Sequence, residues 1–260
     1  MFDETALTIV LFFLGSIFGS FANVVIYRMP KGESVVFPSS YCRSCNTPVK
    51  WYNNVPILAW FWLRGRCSTC GATYSFRYPM VELVMAVLFA LCGYSIGWNW
   101  TLIEALLFTF SLVTVSCIDL DLMILPDKFT LSGIAIGLIG AAINPERPFM
   151  DAVYGVLAGG GFLWAVAYLY FVFRNREGMG GGDIKLLAWI GAVLGWKAIP
   201  VVILASSLIG SFVGILLAVR SREGMTHAIP FGPYLAGAAL LYMLLGGEIL
   251  ANWYLALHGM

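Results

Sequence analysis

Long apolar runs separated by short polar breaks dominate the chain. A hydrocarbon core of ~30 Å needs roughly 20 helical residues. Runs that approach or meet this length fall at residues 6–27, 79–98, 102–122, 129–144, 152–173, 184–196, 199–219 and 230–257. The pattern predicts an all-α polytopic membrane protein with about eight transmembrane helices. The sixth run is short, and Trp196, Lys197 and Pro200 mark a tight turn into the seventh. The first run follows Asp3 and Glu4, not a basic segment, and is too long for the apolar part of a signal peptide, so it reads as a retained span. Residues 28–78 form the one long polar interruption.

Composition agrees with this reading. The chain is 60% hydrophobic and 11% charged, where a soluble domain has about 25% charged residues. A single soluble core could not enclose so much apolar surface. The net charge of +1 gives no reason to expect nucleic-acid binding. The distribution of charge is more informative. With residues 28–78 placed in the cytoplasm, 13 of the 15 Lys and Arg residues fall on the inner side. Only Arg147 and Lys197 fall outside. This is a strong positive-inside pattern, and it puts both termini outside.

Several spans carry small residues four apart: Gly15/Gly19, Gly133/Gly137, Gly155/Gly159 and Gly210/Gly214. Such stripes let helix backbones approach closely. The run Gly159-Gly160-Gly161 lies inside a span and follows no strand, so it is not a dinucleotide loop.

The polar loop holds Cys42-x2-Cys45 and Cys67-x2-Cys70. Two close pairs can close a tetrahedral thiolate shell around zinc. Asn46 and Gly71 follow the pairs, and both residue types tolerate the positive φ of a knuckle turn. Disulfides are disfavoured in a reducing compartment. The reading is structural Zn2+ on Cys42, Cys45, Cys67 and Cys70. With four protein ligands it lacks the open position of a catalytic site. Cys92 and Cys117 lie within spans and read as small buried hydrophobes.

A carboxylate at membrane depth costs several kcal/mol unless paired or solvated, and so is a functional candidate. Asp119 ends the third span and Asp183 opens the sixth, both near the cytoplasmic boundary. Two carboxylates brought together share a proton and can act as acid and base on one water. The competing reading of Asp183 is a helix N-cap, and the same reading suits Asp127 before the fourth span. Asp121, two residues from Asp119, points to another face. Glu82 falls in the first turn of the second span, where the helix dipole favours it. Glu104 and Glu248 sit near outer ends of spans and reach interfacial water. A scaffold with a zinc docking module would leave these acids idle. A proton-coupled transporter would want acids near the midplane and an internal repeat, and neither is evident.

Taken together, the motifs resemble the bacterial type IV prepilin peptidases, bifunctional membrane aspartyl proteases of GxGD type. The segment from Gly19-Ser20-Phe21-Ala22-Asn23 to Arg28-Met29-Pro30 is similar to their first-span signature. The cysteine pairs, Asn54-Val55-Pro56, Arg64-Gly65 and Arg77-Tyr78-Pro79-Met80-Val81-Glu82 are similar to their cytoplasmic domain. Asp119-x7-Asp127 and Gly178-x-Gly-Gly-Gly-Asp183 are similar to their two catalytic motifs. Leu125 replaces a commoner Ile, and Arg43 stands where many members have Pro.

The resemblance implies catalysis by Asp119 and Asp183, displacing the N-cap reading of Asp183. It implies three parts: a first transmembrane helix at 1–27, a cytoplasmic four-cysteine zinc-binding domain at 28–78, and a seven-helix protease core at 79–260. The implied location is the bacterial inner membrane. The implied substrates are type IV prepilins or pseudopilins, cut after Gly behind a basic leader, then N-methylated using S-adenosylmethionine. A basic leader is not attracted by a basic inner face, which leaves Glu33, Asp121 and Glu177 as candidate acids for it. The region 28–82 is the expected neighbourhood of the methyl-donor site.

Overall fold

A computed structural model describes residues 4–176, 179–220 and 229–247. Glu177, Gly178, Arg222, Glu248 and the end of the last predicted span lie outside them. The described residues form helices joined by turns and loops, with no strand among them. The helices are α1 (Glu4–Arg28), α2 (Leu58–Trp62), α3 (Arg77–Ile96), α4 (Trp100–Leu122), α5 (Asp127–Ile143), α6 (Phe149–Arg174), α7 (Gly181–Leu194), α8 (Ala198–Arg220) and α9 (Gly232–Leu244). Each of the eight apolar runs has its own helix. Among the described residues five of these, α1, α3, α4, α6 and α8, are long and apolar enough to cross a membrane. Helices α5, α7 and α9 are shorter, at 17, 14 and 13 residues. In α6 and α8 only 11% of the most apolar window is buried, leaving outward faces such as Leu208, Phe212 and Val219 exposed. That is the character of helices bathed in lipid.

The helix ends follow local chemistry. Gly97 and Gly195 stop α3 and α7 at φ 70° and 78°, a region that favours glycine. Pro126 and Pro148 precede α5 and α6 in extended conformation, as expected before a helix start.

The chain divides into two compact units, Met1–Thr114 and Val115–Met260. In the first, α1 lies along α3. A Cβ on Gly15 would stand 2.7 Å from the Met85 carbonyl oxygen, and one on Gly19 would stand 2.5 Å from Glu82 Cα. Phe18 packs its ring on Phe89 and Phe110. The glycine stripe thus sets the backbone separation, as small residues do in lipid, where packing drives association.

In the second unit α7 is the hub. It packs against α5, α6, α8 and α9, and all eight residues from Leu186 to Val193 are buried. A helix apolar all round belongs inside a bundle. Glycines on its neighbours make room for it. Gly155 of α6 meets Gly191 backbone to backbone, Gly159 meets the Leu187 carbonyl, and Gly133 of α5 lies under the Trp189 indole. Arg147, one of the two basic residues predicted outside, donates from Nη1 to the Val193 carbonyl at 2.6 Å and from Nη2 to the Gly137 carbonyl. It thereby caps a carbonyl in the last turn of α7 and adds a bond to a carbonyl within α5. Gly191→Ala would drive a methyl into the Gly155 backbone. We expect it to cost about 3 kcal/mol, at the upper end of overpacking penalties, read as a lowered unfolding midpoint in detergent.

Candidate active site and metal centre

Asp119 lies in the last turn of α4 and is 5% exposed. Met123 ends that helix by adopting φ 55°, with its N–H donating to the Asp119 carbonyl at 2.8 Å. This left-handed terminus turns the chain into Leu125-Pro126 and α5. The Asp119 carboxylate is held by another element: the Gly232 N–H, at the first residue of α9, donates to Oδ2 at 3.1 Å. Asp183 is the third residue of α7, and Gly180 stands at the N-cap with no side-chain capping bond. Asp183 is therefore not the N-cap of its helix, and its half-buried carboxylate lies close enough to Asp119 to feel its charge. Leu125 wedges between the starts of α7 and α9. A Cβ on Gly182 would lie 2.9 Å from Leu125 Cβ, and one on Gly232 would lie 3.2 Å from Leu125 Cδ2. The glycine before Asp183 thus admits a side chain from the Asp119 turn.

The other acids separate from this pair. Asp127 is the first residue of α5, after Pro126 at the N-cap, and makes no side-chain cap. Its expected capping role gives way to a partner on α7: Lys185 Nζ lies 2.6 Å from Asp127 Oδ1. Asp121 and Glu33 are exposed. Glu104 does not simply reach outward water, since its Oε1 is buried. Cys92 is fully buried and contacts the Thr109 hydroxyl, while Cys117 is half-buried.

The cysteine loop folds into two matched knuckles. Cys42 N–H donates to Thr47 O and Asn46 N–H to Cys42 O. Cys67 N–H donates to Ala72 O and Gly71 N–H to Cys67 O in the same pattern. Asn46 and Gly71 take φ 54° and 72°, the conformation expected of them. All four Sγ atoms lie within 4.8 Å of one another, and Cys42 Sγ is 3.8 Å from Cys70 Sγ. A tetrahedron with Zn–S bonds of about 2.3 Å has edges of about 3.8 Å, so the donor set fits zinc. The N–H groups of Cys70 and Thr69 hold the Cys67 thiol down at about 6. The Ala72 N–H favours the Cys70 thiolate, but the Cys45, Cys67 and Cys42 thiols and desolvation push Cys70 up to about 11.

Three residues of this architecture have roles that the sequence did not reveal. Arg28 looked like one more inner-side charge. It is 5% exposed and donates to the carbonyls of Ser34, Pro38 and Ser39. Glu82 is the sixth residue of α3, beyond the first turn, and accepts the Ile57 N–H at 2.6 Å. The available signal was a carboxylate placed well inside an apolar run. Gly232 was read only as part of a span.

Comparison with known proteins follows the same division. The model described as Bacterial Peptidase A24 N-terminal domain matches residues 13–96, and that of the Type IV leader peptidase family matches residues 105–215. A "Prepilin leader peptidase/N-methyltransferase" of Aeromonas hydrophila is 40% identical over 94% of this chain and 92% of its own length. Proteins with the same description from Pseudomonas aeruginosa and Neisseria gonorrhoeae are 37% and 36% identical, over 91% and 93% of this chain and 89% and 92% of their own lengths. No solved structure matches the chain. With relatives this similar from end to end, the chain belongs to the type IV leader peptidase family.

Proposed function

We propose that this protein cleaves the leader from type IV prepilins or pseudopilins after a glycine, and then N-methylates the exposed amine. The observation that carries the reading is the likeness to prepilin leader peptidase/N-methyltransferases over nine-tenths of the chain. Asp119 and Asp183 are the proposed catalytic pair. Burial and mutual proximity let two carboxyls share one proton. One carboxylate takes a proton from water as its oxygen bonds to the glycine carbonyl carbon, and the other acid protonates that carbonyl oxygen. Collapse of the tetrahedral centre breaks the C–N bond, and the leaving amine takes a proton. The Gly232 N–H fixes one Asp119 oxygen, so that carboxylate is aimed before substrate arrives.

We place the site at the cytoplasmic face of the bacterial inner membrane, with eight spans and residues 28–78 inside. The three-part division at 27/28 and 78/79 goes with that topology. A pilin helix among the spans would leave its basic leader in the cytoplasm. S-adenosylmethionine, when bound, supplies an electrophilic methyl group. Cys42, Cys45, Cys67 and Cys70 would hold a structural zinc, which lends folding energy to a loop with little core. We expect about one zinc per chain by elemental analysis after non-chelating purification. Double Cys42→Ser/Cys67→Ser should lose it. Metal-free parent protein would refute the site.

The test of the whole reading is processing of a synthetic prepilin peptide by the purified protein in detergent. Mass spectrometry should find cleavage after Gly and, with S-adenosylmethionine added, the further mass of one methyl group on the new N-terminus. An intact peptide in the presence of folded protein would reject the function.

A further inference from the structure

Four large apolar side chains stand out from the cysteine loop around α2. Leu58, Phe61, Trp62 and Phe76 are about half exposed, between 48% and 56%. The spacing of residues 58, 61 and 62 places the first three on one face of the helix. The other side of α2 packs inward. Ala59 is buried, and Trp60 donates from Nε1 to the Tyr74 carbonyl at 3.3 Å while its ring meets Phe76. The Phe61 ring lies 6.5 Å from that of Phe76, so the exposed groups join into one patch. An exposed apolar patch of this kind marks a contact surface for protein or membrane.

The height of the patch on α3 decides between these. Helix α3 is long and apolar enough to cross a membrane. Its 20 residues extend about 30 Å, the thickness of the hydrocarbon core. Ile57, directly before α2, donates its N–H to Glu82 Oε2 at 2.6 Å. Glu82 lies five residues past Arg77, the first residue of α3, or about 8 Å along the axis. The start of α2 is therefore fixed beside the second turn of the span, not beyond its end. A γ-turn centred on Ile57, at φ 65°, ψ −58°, brings the chain there, closed by the Leu58 N–H on the Pro56 carbonyl at 2.6 Å. Phe76 in turn heads a row of exposed apolar residues along α3: Met80, Leu83, Val84 and Val87, at helical spacing. The patch is thus continuous with the face that α3 offers to lipid. Interfacial amphipathic segments rest at this depth, roughly 5–10 Å into the headgroup and acyl boundary.

We infer that α2 is an interfacial membrane anchor for the cysteine loop. Leu58, Phe61 and Phe76 enter the acyl boundary of the bilayer, and Trp62 lies at the headgroups, where its amphipathic ring is at home. Arg64, exposed and two residues past the helix, lays its stem along the apolar surface and gives its guanidinium to lipid phosphate. The knuckles carry exposed polar residues instead, among them Ser44, Ser68 and Thr69, which suit water. The loop is therefore held to the bilayer by its own apolar surface as well as by the two helices that flank it.

Photolabelling of the full chain in lipid nanodiscs tests the anchor. The probe is phosphatidylglycerol with a diazirine on an acyl carbon near the ester, and labelled residues are located by mass spectrometry. The parent protein should take label on residues 58–62 and on Phe76, and none on the knuckles at 42–48 and 67–73. No label on 58–62, or equal label on the knuckles, would overturn the inference, whether water or a second protein covers the patch instead. Leu58→Ser/Phe61→Ser should lower the label on 58–62 roughly threefold or more, because interfacial binding scales with buried apolar area. Label on the exposed α1 residues Ile9, Val10 and Phe13 is the internal standard. An unchanged ratio would show that these side chains do not make the contact. The unfolding midpoint checks the fold of the variant, and if it fails to fold the labelling of the parent protein alone decides.

Discussion

Asp119→Asn and Asp183→Asn should each slow prepilin cleavage by on the order of a thousandfold or more, the scale of loss when one member of a concerted catalytic set is removed. Asparagine keeps the size of the side chain, and its Oδ1 can still accept the Gly232 N–H that meets Asp119 Oδ2 at 3.1 Å. It cannot exchange a proton on the carboxyl scale. The substitution therefore separates proton chemistry from packing. The double variant should be little slower than either single one, because the two groups act as a unit. Asp127→Asn is the comparison. Its pair with Lys185 is solvent-exposed, at 58% and 38% side-chain exposure, and such pairs contribute about 0–1 kcal/mol. Cleavage at near the parent rate by either member of the 119/183 pair would end the two-aspartate mechanism.

Gly232→Ala should lower the turnover number for cleavage about a hundredfold while leaving the fold intact. The added methyl would stand 2.6 Å from Asp119 Oδ2 and 3.2 Å from Leu125 Cδ2. Either the carboxylate or the start of α9 must move, and a displacement of about 1 Å at reacting groups costs on that order. Gly237 is the control within the same helix, since a Cβ there meets nothing within 4 Å. Gly237→Ala should be active and gain about 0.5–1 kcal/mol from helix propensity. A Gly232→Ala protein with parent turnover would show that the N–H contact does not aim Asp119.

These contrasts show which parts of the molecule the chain makes legible in one dimension. The cysteine knuckles could be read because ligands, turn residues and the positive-φ Asn46 and Gly71 are all local. The faces of close helix approach, though not their partners, were visible as glycine stripes because close approach in lipid needs small residues at fixed spacing. Asp119 and Asp183 stood out because carboxylates are rare in apolar runs. Gly232 did not, since its role is to donate a backbone N–H across 113 positions to Asp119, and a backbone donor has no sequence letter. Glu82 was visible, but its partner was the amide of Ile57, again backbone. Asp127 was read as a cap because its real partner, Lys185, lies 58 positions away.

The shortness of α7 bears on how the protein is made. At 1.5 Å per residue its 14 residues extend about 21 Å, well under the ~30 Å that a lone segment must cover. A nascent α7 is thus a poor candidate for independent entry into the bilayer. It becomes stable there only as its neighbours enclose it, and two of these, α8 and α9, are synthesised after it. Biogenesis therefore delivers one acid of the pair, and the amide that steadies the other, late. On the proposed two-aspartate mechanism, the protein gains its proteolytic set only at the end of its own insertion.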